Sequence, residues 1–420
     1  MTGTSEATGT SEPPRPSDAE DERLIRAVSP SDYLRQGWGR VRGGDLGMMP
    51  VVLGLIVICA VFYAYEPTFL SSRSLVSMLL YAAPVGIIAL GIVVVLLLGE
   101  IDLSVGSVSG FCAAIMAVLV VNQGHALWLG IAAALGVGAL IGVGYATLYV
   151  RVGVPSFVFS LAGLLAFEGA LLWVLADGSI NIPRESGLAQ FARNKFLTDA
   201  QAYTLVAIVV LCYLGSRLWT IRRRRAAGLT PPNLVAVLLK AALLGGGLGW
   251  LTYYLGIARG WGYLTVLFAV LVVVLDLLLR KTRWGRHLFA VGGNKEAARR
   301  AGVRVGWTYC SAFVLCSALA ALGGLLAAAQ LTSVSQDSGT TDTNLTAIAA
   351  AVIGGTSLFG GRGSAYAALL GILVLQAIES GLNLMNVDSD IRYIVTGGVL
   401  LLAVTIDSVA RRARSSSGRG

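Results

Sequence analysis

Apolar runs of nearly membrane-spanning length follow one another from about residue 49 to residue 407, and a water-soluble core cannot absorb so many of them. A helix crossing a hydrocarbon core of roughly 30 Å needs about 20 apolar residues at about 1.5 Å rise each. Such runs read at 49–65, 75–98, 104–121, 126–150, 155–177, 203–220, 234–256, 262–279, 308–330, 344–359, 364–385 and 391–407. Only 13% of the 420 residues are charged, against about 25% in a soluble domain. The expected fold is therefore an all-α integral membrane protein, a polytopic bundle of about twelve transmembrane helices. The run 344–359 is short enough to be re-entrant instead.

Charge orients these spans. With the N-terminus in the cytoplasm and sides alternating, only Arg73, Arg184, Arg193, Lys195, Arg259 and Arg392 of the 32 Lys and Arg face outward. Cytoplasmic loops carry the excess of basic residues in membrane proteins, so this skew supports the assignment. Counting 344–359 as a crossing keeps Arg411, Arg412 and Arg414 inside, and both termini are then cytoplasmic. The net charge of +9 accordingly goes with topology and anionic lipid head groups, not with nucleic acid. The chain divides into a cytoplasmic tail at 1–48, a membrane domain at 49–407 and a basic cytoplasmic tail at 408–420. Met1 to Glu22 has too little apolar surface to fold, so it reads as disordered. Ser31 to Arg42, with Tyr33, Leu34, Trp38 and Val41 among arginines, reads as an interfacial helix or a plain linker.

Five cysteines lie inside apolar runs with no CxxC spacing, which suits packing residues. His125 and His287 are too far apart in sequence to suggest a metal site or a catalytic triad. No catalytic residue, metal ligand or cofactor site is expected on this chain. Glycines such as Gly136, Gly138, Gly142 and Gly144 read as close helix packing in lipid.

Three segments stand apart. Gly99-Glu100-Ile101-Asp102-Leu103-Ser104-Val105-Gly106-Ser107 puts two carboxylates between apolar runs. A charge at membrane depth costs roughly 2.5–3.5 kcal/mol and marks a functional candidate. Gly99 can break the helix there, and Asp102 or Ser104 can cap a new one starting near Leu103. A second break runs from Ile353 through Gly354, Gly355 and Thr356 to Gly360, Gly361 and Ser364. Interrupted helices in the two halves of a transporter point to its pathway, which nominates Gly99, Glu100, Asp102, Ser104, Gly106, Gly354, Gly355 and Thr356. The third segment is the cytoplasmic loop 280–307. In it Asn294 suits an N-cap, Glu296 the first turn, Arg299 and Arg300 the last, and Gly302 the stop. This specifies a helix of about two turns, too short to stand alone in water, which points to docking on a partner.

These motifs resemble those of the permease subunits of ribose- and xylose-type ATP-binding-cassette sugar importers. The Gly-Glu-Ile-Asp-Leu-Ser-Val-Gly stretch, Gly285-Arg286-His287 through Gly302, Val154-Pro155-Ser156-Phe157 with Leu161-Ala162-Gly163, and Ala349 to Gly363 occur in the family's order over roughly residues 50–407. The resemblance implies that Gly292, Gly293, Asn294, Glu296, Ala297 and Arg299 form the coupling helix that seats in an ATPase subunit. It further implies an extracytoplasmic sugar-binding protein, a permease homodimer, and ATP and magnesium held by the partner ATPase. In keeping with that, the chain has no G-x-x-x-x-G-K-[ST] phosphate loop. The Arg222–Leu229 insertion and the additional pair of spans at 203–256, beside a core of ten, resemble the xylose-type permease. Glu168 and Glu379 depart from the family pattern and bear on which sugar is carried. The competing expectation is an ion-coupled secondary transporter with Glu168, Asp276 and Glu379 as an intramembrane relay.

Overall fold

The computed structural model describes residues 48–405 except 177, 228, 230, 393, 400 and 402–404. The expected tails at 1–48, apart from Met48, and 408–420, with the 31–42 segment, lie outside the described residues. The described chain is helical almost throughout: α1 Met49–Tyr65, α2 Ser72–Leu97, α3 Val105–Ala117, α4 Leu127–Thr147, α5 Ser156–Leu175, α6 Asp199–Ala226, α7 Leu234–Gly256, α8 Tyr263–Lys281, α9 Arg283–Gly293, α10 Lys295–Arg300, α11 Val305–Leu331, α12 Thr341–Ile353 and α13 Ala365–Leu384. Single π turns prolong α3 through Val118–Asn122 and α4 through Leu148–Val152. A two-residue antiparallel ladder pairs β1 (Ile180–Asn181) with β2 (Ser333–Val334).

Nine of the described helices are long and apolar enough to cross a membrane. Helix α1, with 17 residues, is shorter than these, and residues 391–392 and 394–399 within the last expected span are helical. The run 344–359 holds only a short helix, as its re-entrant alternative expects. Helix α12 has 13 residues and extends only about 20 Å, short of the roughly 30 Å core. It stops at Ile353 because Gly354 and Gly355 turn the chain away, Gly355 at φ +102°. The expected start of α3 near Leu103 moves to Val105.

The described residues form two compact units, one of 48–202 with 252–405 and one of 203–251. In the larger unit, α11 packs along α2, α3 and α4. Helix α2 is buried without interruption from Gly86 to Leu97. Gly138 and Gly142 on α4 let that helix close on the α11 backbone at Ser317 and Phe313, whereas Gly136 and Gly144 meet nothing. Only one face of the glycine pattern therefore serves packing. In the smaller unit, the 203–251 portions of α6 and α7 make a pair of apolar helices, with Gly245 set against Val210. That pair coincides with the additional spans read from the sequence.

Candidate functional site

The first break begins with a glycine-ended helix. At the end of α2 the Gly99 N–H donates to Leu96 O at 2.8 Å and the Glu100 N–H to Val95 O at 3.3 Å, with Gly99 at φ +80°. This paired bonding satisfies carbonyls that a helix end otherwise leaves open. Asp102, 1% exposed, then accepts from the Ser104 N–H at 2.9 Å and the Ser104 hydroxyl at 2.7 Å. Ser104 in turn accepts from Tyr145 Oη at 2.7 Å. The cap expected of Asp102 or Ser104 is thus only partly as read: Asp102 ties the residue before α3. The Gly106 N–H inside α3 is taken by Asn344 Oδ1 from α12. Ser156 Oγ accepts from the Ile101 N–H, and Ser160 Oγ donates to Ile101 O, each at 3.4 Å. The Val154-Pro155-Ser156 motif therefore braces the break. Gly163 completes it, since a Cβ there would collide with the Tyr145 hydroxyl.

The second break repeats the helix ending. The Gly355 N–H donates to Val352 O at 2.9 Å and the Thr356 N–H to Ala351 O at 3.0 Å. Gly360 and Gly361, at φ +82° and +72°, then run against the first break. The Gly361 N–H donates to Leu97 O at 2.9 Å. A Cβ on Gly360 would lie 2.7 Å from Gly292 O and 2.9 Å from Gly99 N, and one on Gly292 would run into Leu97 O. Gly99, Gly292 and Gly360 thus bring both breaks and the end of α9 to one backbone junction. Gly354 abuts the Ala367 backbone, and Thr356 is buried with its hydroxyl unpartnered.

The loop expected at 280–307 contains two helices. Thr282 caps α9 by accepting from the Gly285 N–H at 3.2 Å, a helix the sequence reading missed. Asn294 caps α10 by accepting from the Ala297 N–H at 2.9 Å, as its position predicts. Glu296 pairs with Arg299 at 2.7 Å on the exposed face. Gly302, at φ +82°, closes α10 with bonds from Gly302 N–H to Arg299 O and Val303 N–H to Ala298 O.

A cavity of about 970 Å³ lies in the larger unit among α2, α3, α11 and α13. Its lining mixes Ser74, Ser77, Tyr81, Gln330, Gln376 and Asn383 with apolar wall. None of the eight residues nominated at the breaks lines it, although the neighbours Ser109 and Gly110 do. The hydroxyl and amide residues on α2, α11 and α13 were missed because they come together only when three helices distant in sequence are packed side by side. The cavity reaches α2 from Arg73 to Ile88, while the backbone junction holds Leu97. Arg73 and Leu97 are about 36 Å apart along the helix, so cavity and junction occupy opposite ends of α2. Of the three carboxylates in the competing relay, Asp276 on α8 is paired with Arg280 at 2.8 Å and with Ser364 at 3.2 Å. Glu379 lines the cavity on α13, and Glu168 lies on α5 outside that lining.

Residues 74–404 match the family described as "Branched-chain amino acid transport system / permease component". The chain is similar to the xylose transport system permease protein XylH of Escherichia coli (strain K12), at 33% identity over 383 residues, 90% of this chain and 95% of that one. It is also similar to the L-arabinose transport system permease protein AraH of the same strain, at 31% over 88% of this chain and 92% of the relative. The ribose import permease protein RbsC of that strain is 31% identical over 91% and 98%. No solved structure matches the chain. With these permeases matched nearly end to end and the family covering most of its length, the chain belongs to this family of multi-pass membrane transport permeases.

Proposed function

We propose that the chain is the membrane-spanning permease subunit of an ATP-binding-cassette importer in the bacterial cytoplasmic membrane, carrying a monosaccharide, a pentose such as xylose. The observation that carries this reading is the nearly full-length similarity to three sugar permeases, xylose foremost. The family description speaks of branched-chain amino acids, but the three relatives are named for sugars, and the cavity is compatible with one. Its serine, tyrosine, glutamine and asparagine groups offer donors and acceptors to a polyol.

In this reading α9 and α10 form the docking segment for an ATPase chain, through Gly292, Gly293, Asn294, Glu296, Ala297 and Arg299. That chain holds ATP and magnesium. Arg280, Lys281, Arg283, Arg286, Lys295, Arg299, Arg300 and Arg304 crowd this end, which supports a cytoplasmic position for it. The cavity then opens on the other side, where a sugar-loaded binding protein delivers its cargo, and a second copy of the permease completes the pathway. The breaks are the hinge points at which helices rock between outward- and inward-open states.

Proteoliposomes holding the chain with its ATPase and binding protein test this. Uptake of labelled xylose is expected to require ATP and the binding protein, to ignore uncouplers, and to resist competition by leucine. Glu296→Lys places a cation at the positive end of α10 and is expected to release the ATPase while membrane insertion stays intact. Uncoupler-sensitive, ATP-independent uptake would instead establish the ion-coupled mechanism.

A further inference from the structure

Lys295 opens α10, immediately after the Asn294 cap, and its ammonium lies over two aromatic rings. It is 4.9 Å from the Tyr149 ring centre and 5.2 Å from that of Tyr309. Its Nζ also stands 3.4 Å from Tyr149 Oη. The two rings pack with centres 4.4 Å apart, and Tyr309, on α11, is 3% exposed. Tyr149 donates its hydroxyl proton to Glu100 Oε1 at 2.5 Å. A cation, a phenol and a carboxylate thus form a continuous line from the first residue of α10 to the first break. Glu100 stands two residues before Asp102, the residue that ties the start of α3.

Each link has a physical reason to be stiff and directional. A cation over aromatic faces is held by the ring quadrupoles, and a phenol donating to a carboxylate makes a charge-assisted bond. Tyr149 sits in the π turn that ends α4, directly before Gly153 at φ +83°. Such turns insert an extra residue into a helix and recur at functional sites. A role in packing alone would use the rings and leave the hydroxyl and the two charges without purpose. The rings would fill the same space as phenylalanines.

We infer that Tyr149 is a positioning residue that carries displacement of the docking segment into the Gly99–Ser104 break, held by Lys295 on one side and Glu100 on the other. This rests on the reading of α9 and α10 as the ATPase-docking segment. When α10 moves with the ATPase, Lys295 leaves or presses the phenol, and the hydroxyl hands that movement to Glu100 and the turn it belongs to.

The test compares sugar taken up per ATP hydrolysed in proteoliposomes of the full complex. Tyr149→Phe keeps the ring and is expected to keep ATPase copurification and basal hydrolysis, while the coupling ratio falls roughly fivefold. Lys295→Met, read in complexes matched for bound ATPase, should lower the coupling ratio by a similar factor, and Lys295→Arg, which restores a cation over the rings, should stay within about twofold of wild type. A Tyr149→Phe coupling ratio equal to wild type overturns the inference, as does lowered stability with an unchanged ratio. Failure of the wild-type chain to hold any ATPase overturns the docking reading instead. The line is then read in the purified full chain by hydrogen exchange of the 99–104 amides. Equal acceleration in Tyr149→Phe and Lys295→Met, with no further gain in the double variant, supports one connected line; additive accelerations overturn it.

Discussion

The helix ends at Leu98 and Gly354 are built alike and continued differently. Both use a left-handed glycine and the same pair of backbone bonds, from Gly99 and Glu100 in one and from Gly355 and Thr356 in the other. Beyond that point the first break is held by side chains. Asp102, Ser104, Tyr145, Ser156 and Ser160 supply a fixed set of hydrogen bonds. The second is held by backbone, with Gly360 and Gly361 pressed against Gly99, Gly292 and Leu97. A polar network gives a break one defined geometry, because each buried group needs its own partner. Close glycine contact instead lets neighbouring segments meet without side chains between them, so a shift in one is felt directly by the others.

The largest effect is expected where that contact is tightest. Gly360→Val adds strain at φ +82° and a clash with the Gly292 and Gly99 backbones, and should abolish both folded yield and uptake. Gly355→Ala is the control within the same break. Its φ is +102° with nothing nearby, so it should cost only the left-handed penalty of about 1–2 kcal/mol. Size-exclusion profiles and thermal unfolding in detergent compare them; equal damage from both would dissolve the distinction between contact and conformation.

A smaller effect should come from the polar network. Asp102→Ala leaves the Ser104 N–H and hydroxyl unpaired in a buried site, at about 1–3 kcal/mol per group. Asp102→Asn keeps the accepting oxygen. Uptake per folded molecule should fall strongly in the first and mildly in the second. If the asparagine variant fails as badly as the alanine one, the negative charge itself is what the break requires.

The smallest net effect is expected from a compensating pair. Gly163→Ala overpacks the Tyr145 hydroxyl, at about 1–3 kcal/mol. Adding Tyr145→Phe relieves the clash but gives up the bond to Ser104, leaving a deficit of about 1 kcal/mol. A double-mutant cycle of unfolding measures this directly, and additive losses would mean that Gly163 is needed for another reason.

Much of this was legible in the chain itself. Span positions followed from run length, and the Asn294 cap and Gly302 stop of α10 from local chemistry that acts within four residues. Gly99 announced a break for the same reason. Helix α9 escaped notice because Arg283–Gly293 combines charges with three glycines and owes its place to burial of Leu288 and Val291. The cavity was equally hidden. Its polar lining is divided among helices far apart in the chain, chiefly α2 and α13.

By itself the sequence determined that the chain is helical and membrane-spanning, where its helices break, and how its short exposed helix is capped. These depend on hydrophobic length and on hydrogen bonds between near neighbours. Only the tertiary structure decided what the breaks touch. The meeting of Gly99, Gly292 and Gly360, the reach of Asn344 to Gly106, and the line from Lys295 through Tyr149 to Glu100 all join residues between 49 and about 260 positions apart. Contacts at that separation depend on how packed helices align in space, and no local pattern in the chain encodes them.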